Sequence, residues 1–163
     1  MNGTDILNDN RPAVDLSLLD QDRQPVQLSA VWKKQILVLA FVPAAFSRVC
    51  TLEMCAFEND TDEFSKLQAA VYLISTDTFF TLKAWASQQK TNLPLLSDFN
   101  KDAIAAYGVE NPDLYGLKGT AKRAVFIIDR NGMIRYREIL DNVANQPSYY
   151  RLKQAVAQLT AER

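Results

Sequence analysis

The chain of 163 residues carries two cysteines, Cys50 and Cys55, and no histidine. An ionised thiol is a strong nucleophile, yet an ordinary thiol, with a pKa of about 8.5, is mostly protonated at neutral pH. Without imidazole, Ser–His–Asp and Cys–His chemistry is excluded, as are histidine-ligated zinc and proximal-histidine haem. Two cysteines also fall short of the four thiolates of an all-cysteine zinc site. No metal or other cofactor is expected. Activation of a thiol here must come from another source, and the stretch FVPAAFSRVCTLEMC, from Phe41 to Cys55, offers one. Ser47 is placed to cap a helix whose third residue is Cys50, with the serine Oγ accepting the Cys50 N–H. The free N–H groups and partial positive charge of a helix start favour a thiolate, and a nearby cation would add to the effect. The plain alternative is that Cys50 is a small buried hydrophobe.

Cys55 poses a separate question. Five residues along a helix separate the Cα atoms by about 8.6 Å and turn the side chains about 140° apart. A disulfide needs Cα atoms within about 7 Å. The pair therefore cannot bridge while the helix is intact, and the spacing argues against a static staple. Two readings stay open. Cys55 forms a transient disulfide when the first turn unwinds, or it is a core residue on the buried helix face.

The elements around these residues can be read from periodicity. Segment 12–29 (PAVDLSLLDQDRQPVQLS) reads as two short strands about a polar turn, Asp20 to Gln24. The near-continuous apolar run from Gln35 to Pro43 suits a central strand buried on both faces, ended by Pro43. From Ser47 onward Met54, Phe57, Thr61 and Phe64 share one helical face. Ala70 to Ser75 is a second buried strand. An amphipathic helix follows, with Phe79, Leu82, Trp85 and Ala86 inward. Pro94 to Asp98 is a short strand, and a short helix closes near Gly108. Asn131-Gly132 marks a turn between two β-rich runs. A last helix turns Tyr149, Leu152, Val156 and Leu159 inward. This order describes an α/β fold with a mixed sheet and helices on both faces. Cys50 sits where the central strand hands over to the first long helix, at the kind of strand end where α/β sheets build sites.

The length suits a single domain over residues 1–163. A net charge of −1 gives no reason to expect nucleic acid or an acidic membrane as partner. The polar start, MNGTDILNDNRP, has neither the basic start nor the apolar core of a signal peptide, and no apolar run is long enough to span a membrane. A cytoplasmic location is therefore expected, where a cysteine pair is more often catalytic or metal-binding than structural.

These residues resemble a peroxiredoxin. The family's pattern P-x-x-x-T/S-x-x-C reads here from Pro43 through Ser47 to Cys50, and Thr51 to Glu53 matches the C-T-x-E that follows. Trp85 falls where many members carry tryptophan. NLPLLSDFNKDAIAAYGV and KRAVFIIDRNGMIRY are similar to two further family segments, the second placing Arg123 at an active-site arginine. The similarity runs from about Pro12 to the C-terminal helix. It is nearest the AhpE type, while the C-x4-C spacing is similar to that of the bacterioferritin-comigratory-protein (PrxQ) branch. The resemblance implies a thioredoxin fold with the family's N-terminal extension, and a thiol-dependent peroxidase acting on hydrogen peroxide or organic hydroperoxides. It implies that the Cys50 thiolate attacks a peroxide oxygen and becomes sulfenic acid. Ser47 Oγ and the Cys50 N–H would hold the two peroxide oxygens in line. Arg123 would stabilise the thiolate and the developing charge, Pro43 would shield the site from water, and Glu53 would orient Arg123. Cys55 would resolve the sulfenic acid, with thioredoxin or a similar thiol as reductant, or the enzyme would be of one-cysteine type. A homodimer is compatible with the resemblance. Serine in place of the commoner threonine at 47 keeps the hydroxyl and loses a methyl that restricts the rotamer. Arg48 adds a cation where close relatives often carry glycine. Two other readings are a thioredoxin-type reductase, disfavoured because it needs C-x-x-C, and a non-enzymatic redox sensor that stops after one oxidation.

Overall fold

The six residues of β4 (Ile36–Phe41) are all buried, as the apolar run requires of a central strand. The computed structural model describes residues 6–162. Three short strands precede β4, namely β1 (Arg11–Pro12), β2 (Ser17–Asp20) and β3 (Pro25–Gln27), followed by the short helix α1 (Leu28–Trp32). After β4 come α2 (Arg48–Asn59), α3 (Thr61–Lys66), β5 (Ala69–Ser75), α4 (Phe79–Gln89), β6 (Leu95–Ser97) and α5 (Asp102–Ala106). A small two-stranded ribbon follows, β7 (Glu110–Asn111) with β8 (Thr120–Ala121), then β9 (Arg123–Ile128), β10 (Met133–Leu140) and α6 (Tyr149–Ala161).

The main sheet has the order β1-β10-β9-β4-β5-β6-β2-β3. β4, β5 and β6 run parallel, joined by helical crossovers, while β9 and β10 form an antiparallel hairpin docked on the other side of β4. Alternate β4 residues face opposite layers. Val38 and Ala40 pack with Met54, Phe57, Trp85, Leu152 and Val156 of α2, α4 and α6. Leu37, Leu39 and Phe41 pack with Leu28, Trp32, Ile104 and Tyr107, on and beside α1 and α5. The expected mixed sheet with helices on both faces is present.

Three local features differ from the sequence reading. The long helix after Ser47 is two helices, because Asp60, at φ −94° and ψ 2°, ends α2 and begins α3. Thr61, expected on the inner face, is exposed for that reason, and its Oγ donates to Phe57 O at 3.0 Å. The β7–β8 ribbon and α1 carried no periodic signal, being only two and five residues per element. The hairpin turn is where Asn131-Gly132 placed it. Asp129 O accepts the Gly132 N–H at 3.0 Å, and Gly132 takes φ +79°. A Cβ at Gly132 would stand 3.0 Å from Trp32 Nε1, so both the backbone and the space favour glycine.

Candidate active site

β4 delivers the chain to Pro43, which is buried, and the backbone then turns back sharply to start α2. The turn is Ala44 to Ser47, closed by Ser47 N–H to Ala44 O at 3.4 Å. Phe46 within it has φ +68°, a region costing a residue with a Cβ roughly 1 kcal/mol. Two contacts hold the turn. The Ala45 N–H donates to Asp77 Oδ2 at 2.8 Å, and the Phe46 ring lies 6.4 Å from the Trp85 ring. Asp77 is itself fixed by the Ser75 hydroxyl at 2.8 Å.

Ser47 stands at the N-cap of α2, as its position in the sequence required, but it does not cap with its side chain. Its Oγ donates to Ala44 O at 2.8 Å, which corrects the expectation that it accepts the Cys50 N–H. The tight turn puts the Ala44 carbonyl within reach first. The hydroxyl's lone pairs and the Cys50 N–H at the third helical position are thus both left without a protein partner among the described residues.

Cys50 is fully buried, and Arg123 reaches it from β9 with Nη1 and Nη2 each 3.4 Å from Sγ. The guanidinium is 2% exposed. Its Nη1 also meets Glu53 Oε2 at 2.7 Å, while Nε and Nη2 donate to Val143 O at 3.2 and 2.9 Å. Cys50 and Glu53 are adjacent because three residues on a helix is nearly one turn. Burial pushes the Glu53 carboxyl up to about 7; Arg123 opposes this without cancelling it, and Glu138 adds to it. Arg123 is raised above its ordinary value: burial lowers it, and the facing Cys50 and Glu53 more than offset that. Trp85, fully buried on α4, donates its indole N–H to Thr51 Oγ1 at 3.2 Å and so walls the first turn of α2.

The structure therefore brings Pro43, Ser47, Cys50, Glu53 and Arg123 into one corner. Arg48, at the first position of α2, is exposed and takes no part in the hydrogen bonds that join Cys50, Glu53 and Arg123. Cys55 is exposed, its Sγ 3.9 Å from Gln89 Oε1, and both thiols are free. The core-residue reading of Cys55 is overturned. Cys50, Met54 and Phe57 take the buried side of α2, and a residue five on from Cys50 is turned well away from it. Sequence reasoning missed the Val143 carbonyl, the Asp77 brace and the Thr51–Trp85 contact. Thr51 and Trp85 were each singled out in the sequence, but nothing there joined them. A backbone acceptor such as Val143 O can be supplied by any residue and leaves no sequence mark. Two open cavities, about 340 and 520 Å³, lie elsewhere on the molecule, and neither is lined by Cys50. No candidate metal cluster occurs among the described residues.

A buried thiol under a guanidinium, at a helix start on a thioredoxin-like sheet, defines a thiol oxidoreductase. The chain belongs to the AhpC/TSA family, whose model matches residues 10–137. It is similar to alkyl hydroperoxide reductase E of Mycobacterium tuberculosis, with 35% identity over 136 residues, 82% of this chain and 86% of that protein. It is 38% identical over 117 residues to peroxiredoxin TSA1 of Saccharomyces cerevisiae, covering 68% of this chain and 58% of that one. Among solved structures, peroxidoxin BcpB from M. tuberculosis superposes with a TM-score of 0.81 at 29% identity, covering 96% of this chain and 99% of that one. A peroxiredoxin-like protein from Aquifex aeolicus gives a TM-score of 0.84 at 25% identity, covering 94% and 88%. The chain is a peroxiredoxin with thiol-dependent peroxidase function; its substrate is a peroxide and its reductant a thiol. No helix among the described residues is long and apolar enough to cross a membrane.

Proposed function

We propose that Cys50 is the residue whose thiolate reduces hydrogen peroxide or an organic hydroperoxide. The observation that carries this is the guanidinium of Arg123 facing Cys50 Sγ with both Nη atoms at 3.4 Å. In the proposed step the sulfur attacks the distal peroxide oxygen, the O–O bond breaks, and Cys50 becomes sulfenic acid as an alcohol or water leaves. The Cys50 N–H and the Ser47 hydroxyl are the donors and acceptors left to align the peroxide, and Arg123 stabilises charge as it spreads over the oxygens. Pro43 limits water at the sulfur. Because Cys50 is fully buried, the Ala44–Ser47 turn must shift slightly to admit the substrate.

Cys55 is proposed to resolve the sulfenic acid as a disulfide with Cys50 once the first turns of α2 unwind, and thioredoxin or a similar small thiol protein to reduce it. The exposure of Cys55 supports this, since a resolving thiol must be free to move. A cytoplasmic location and pairing with a second copy complete the proposal. For the pairing, exposed Leu19, Phe80 and Phe99 offer an apolar surface around one open cavity. Sedimentation at micromolar concentration reads the pairing directly.

Cys50→Ser is expected to abolish peroxide consumption, and normal turnover in that variant would sink the assignment. After one equivalent of peroxide, mass spectrometry of the native chain should show loss of two hydrogens for a Cys50–Cys55 disulfide. Gain of one oxygen that persists, together with unchanged recycling in Cys55→Ser, would make the enzyme one-cysteine type.

A further inference from the structure

Arg123 has five N–H groups, and each has a partner. Nε donates to Val143 O, Nη2 to Val143 O and Cys50 Sγ, and Nη1 to Glu53 Oε2 and Cys50 Sγ. No donor is left for Glu53 Oε1, which is buried and has no hydrogen-bond partner among the described residues. Glu53 as a whole is fully buried. A thiolate and a carboxylate here would share one guanidinium in a dry corner, with half of the carboxylate unsolvated. An orphaned carboxylate oxygen in such a place is far more costly than a neutral carboxyl carrying a proton.

The other groups facing Glu53 do not relieve this. Glu138 on β10 adds negative field, and its own carboxylate is held by Tyr136 OH at 2.9 Å and by the Ser148 N–H at 3.0 Å. Tyr149 on α6 turns its hydroxyl to Gln146 Oε1 at 2.6 Å. Arg123 on β9 is the cation that faces the cluster.

We infer that Glu53 is the proton reservoir of the oxidation step: it holds a proton while Cys50 is a thiolate, and releases it as the sulfenic acid forms. The inference rests on the assignment of Cys50 as the reacting sulfur. In the reduced site the thiolate is the single anion against Arg123. Once Cys50 is a neutral sulfenic acid, the two Nη atoms lose their charged partner, and ionised Glu53 becomes the single anion in its place. The sum balances. Cys50 thiolate, protonated Glu53 and a hydroperoxide give Cys50 sulfenic acid, Glu53 carboxylate and an alcohol. Sulfur gives an electron pair to the distal oxygen, and the O–O pair departs with the leaving oxygen. That oxygen takes up a proton from solvent as Glu53 gives one to solvent. Glu53 does not touch the peroxide, so it is a positioning residue acting through Arg123. The upward push of burial on its carboxyl agrees with this assignment.

Difference infrared spectroscopy of the reduced protein at a pH below 7, before and after one equivalent of hydrogen peroxide, reads the carboxyl directly. Mass spectrometry on the same sample reports the oxidation of Cys50. The expected result is a protonated-carboxyl band that disappears as Cys50 is oxidised, whether the mass shows the sulfenic acid or the disulfide that follows it, and that is missing from Glu53→Gln. Glutamate labelled with ¹³C assigns the band without any variant, because Glu53 is the one buried glutamate among the described residues. In weakly buffered solution the native protein should take up no proton from the medium per cysteine oxidised, and Glu53→Gln should take up one. A band that persists after oxidation, or is absent beforehand, overturns the proposal. Cys50 left unoxidised overturns the site assignment itself, and the unchanged mass tells the two failures apart.

Discussion

At the scale of single residues, Arg123 does most to define the site. Its fork meets Sγ, a carboxyl oxygen and a carbonyl at once, which a lysine's single ammonium cannot copy. Arg123→Lys is expected to lower kcat/KM for peroxide by about a hundredfold or more, in line with loss of a preorganised donor pair. Stopped-flow oxidation of the reduced protein measures it, and a loss of less than threefold would contradict the role. Arg123→Met should also destabilise the fold, by about 3–5 kcal/mol, because a buried ionisable partner is left without its cation. The residues themselves were readable from the sequence. Pro43, Ser47, Cys50, Glu53 and Arg123 stood in short patterns, and the last two are fully or almost fully buried although their side chains are ionisable. What was not readable is where each polar atom points. Ser47 was placed correctly as an N-cap, yet its hydroxyl bonds Ala44 O, because turn geometry set by Phe46 at φ +68° decides between two acceptable bonds.

At the scale of elements, the site hangs on one strand end, one turn and one hairpin. β9 carries Arg123 at its first residue, so the register of β9 against β4 sets how far the guanidinium reaches. That register is anchored at the far end by the Asp129–Gly132 turn. Gly132→Ala is expected to destabilise the protein by more than 1 kcal/mol, since it adds strain at φ +79° to a clash with the Trp32 ring. The midpoint of urea unfolding measures it, and an unshifted midpoint would show that the turn relaxes freely. Elements with a clean period were legible, such as the buried β4 run and the Leu152, Val156 and Leu159 face of α6. The α2–α3 break was not, because the apolar period continues through it to Phe64 while only the Asp60 backbone changes. The β7–β8 ribbon depends on long-range pairing of Glu110 with Ala121, which no local pattern announces.

At the scale of the molecule, buried acids shape the response to pH. The Glu53 carboxyl sits at about 7 in the fold against an ordinary 4.5, so the folded state binds its proton more tightly than the unfolded chain does. Its contribution to stability is complete below 4.5 and is lost as pH rises through about 7. Asp9 acts in the opposite sense, since the hydrogen bond from Arg11 lowers its pKa and its contribution is lost as pH falls. Relative to Glu53→Gln, the urea midpoint of the reduced native protein should therefore fall as pH rises toward 7. Identical slopes in the two proteins would contradict it. The clasp of Arg123 on Val143 O has a further consequence for how the protein comes apart. One guanidinium joins Glu53, 70 positions away, to Val143, 20 positions away on the other side, and so works as a noncovalent cross-link between α2, β9 and the chain before α6. Amides around Val143 and the first turn of α2 should then open together in hydrogen exchange, as one cooperative unit weaker than the sheet. Peroxidase activity would fade at denaturant concentrations where β4 and β5 are still fully protected, so the working lifetime of the enzyme is set by this corner and not by its core.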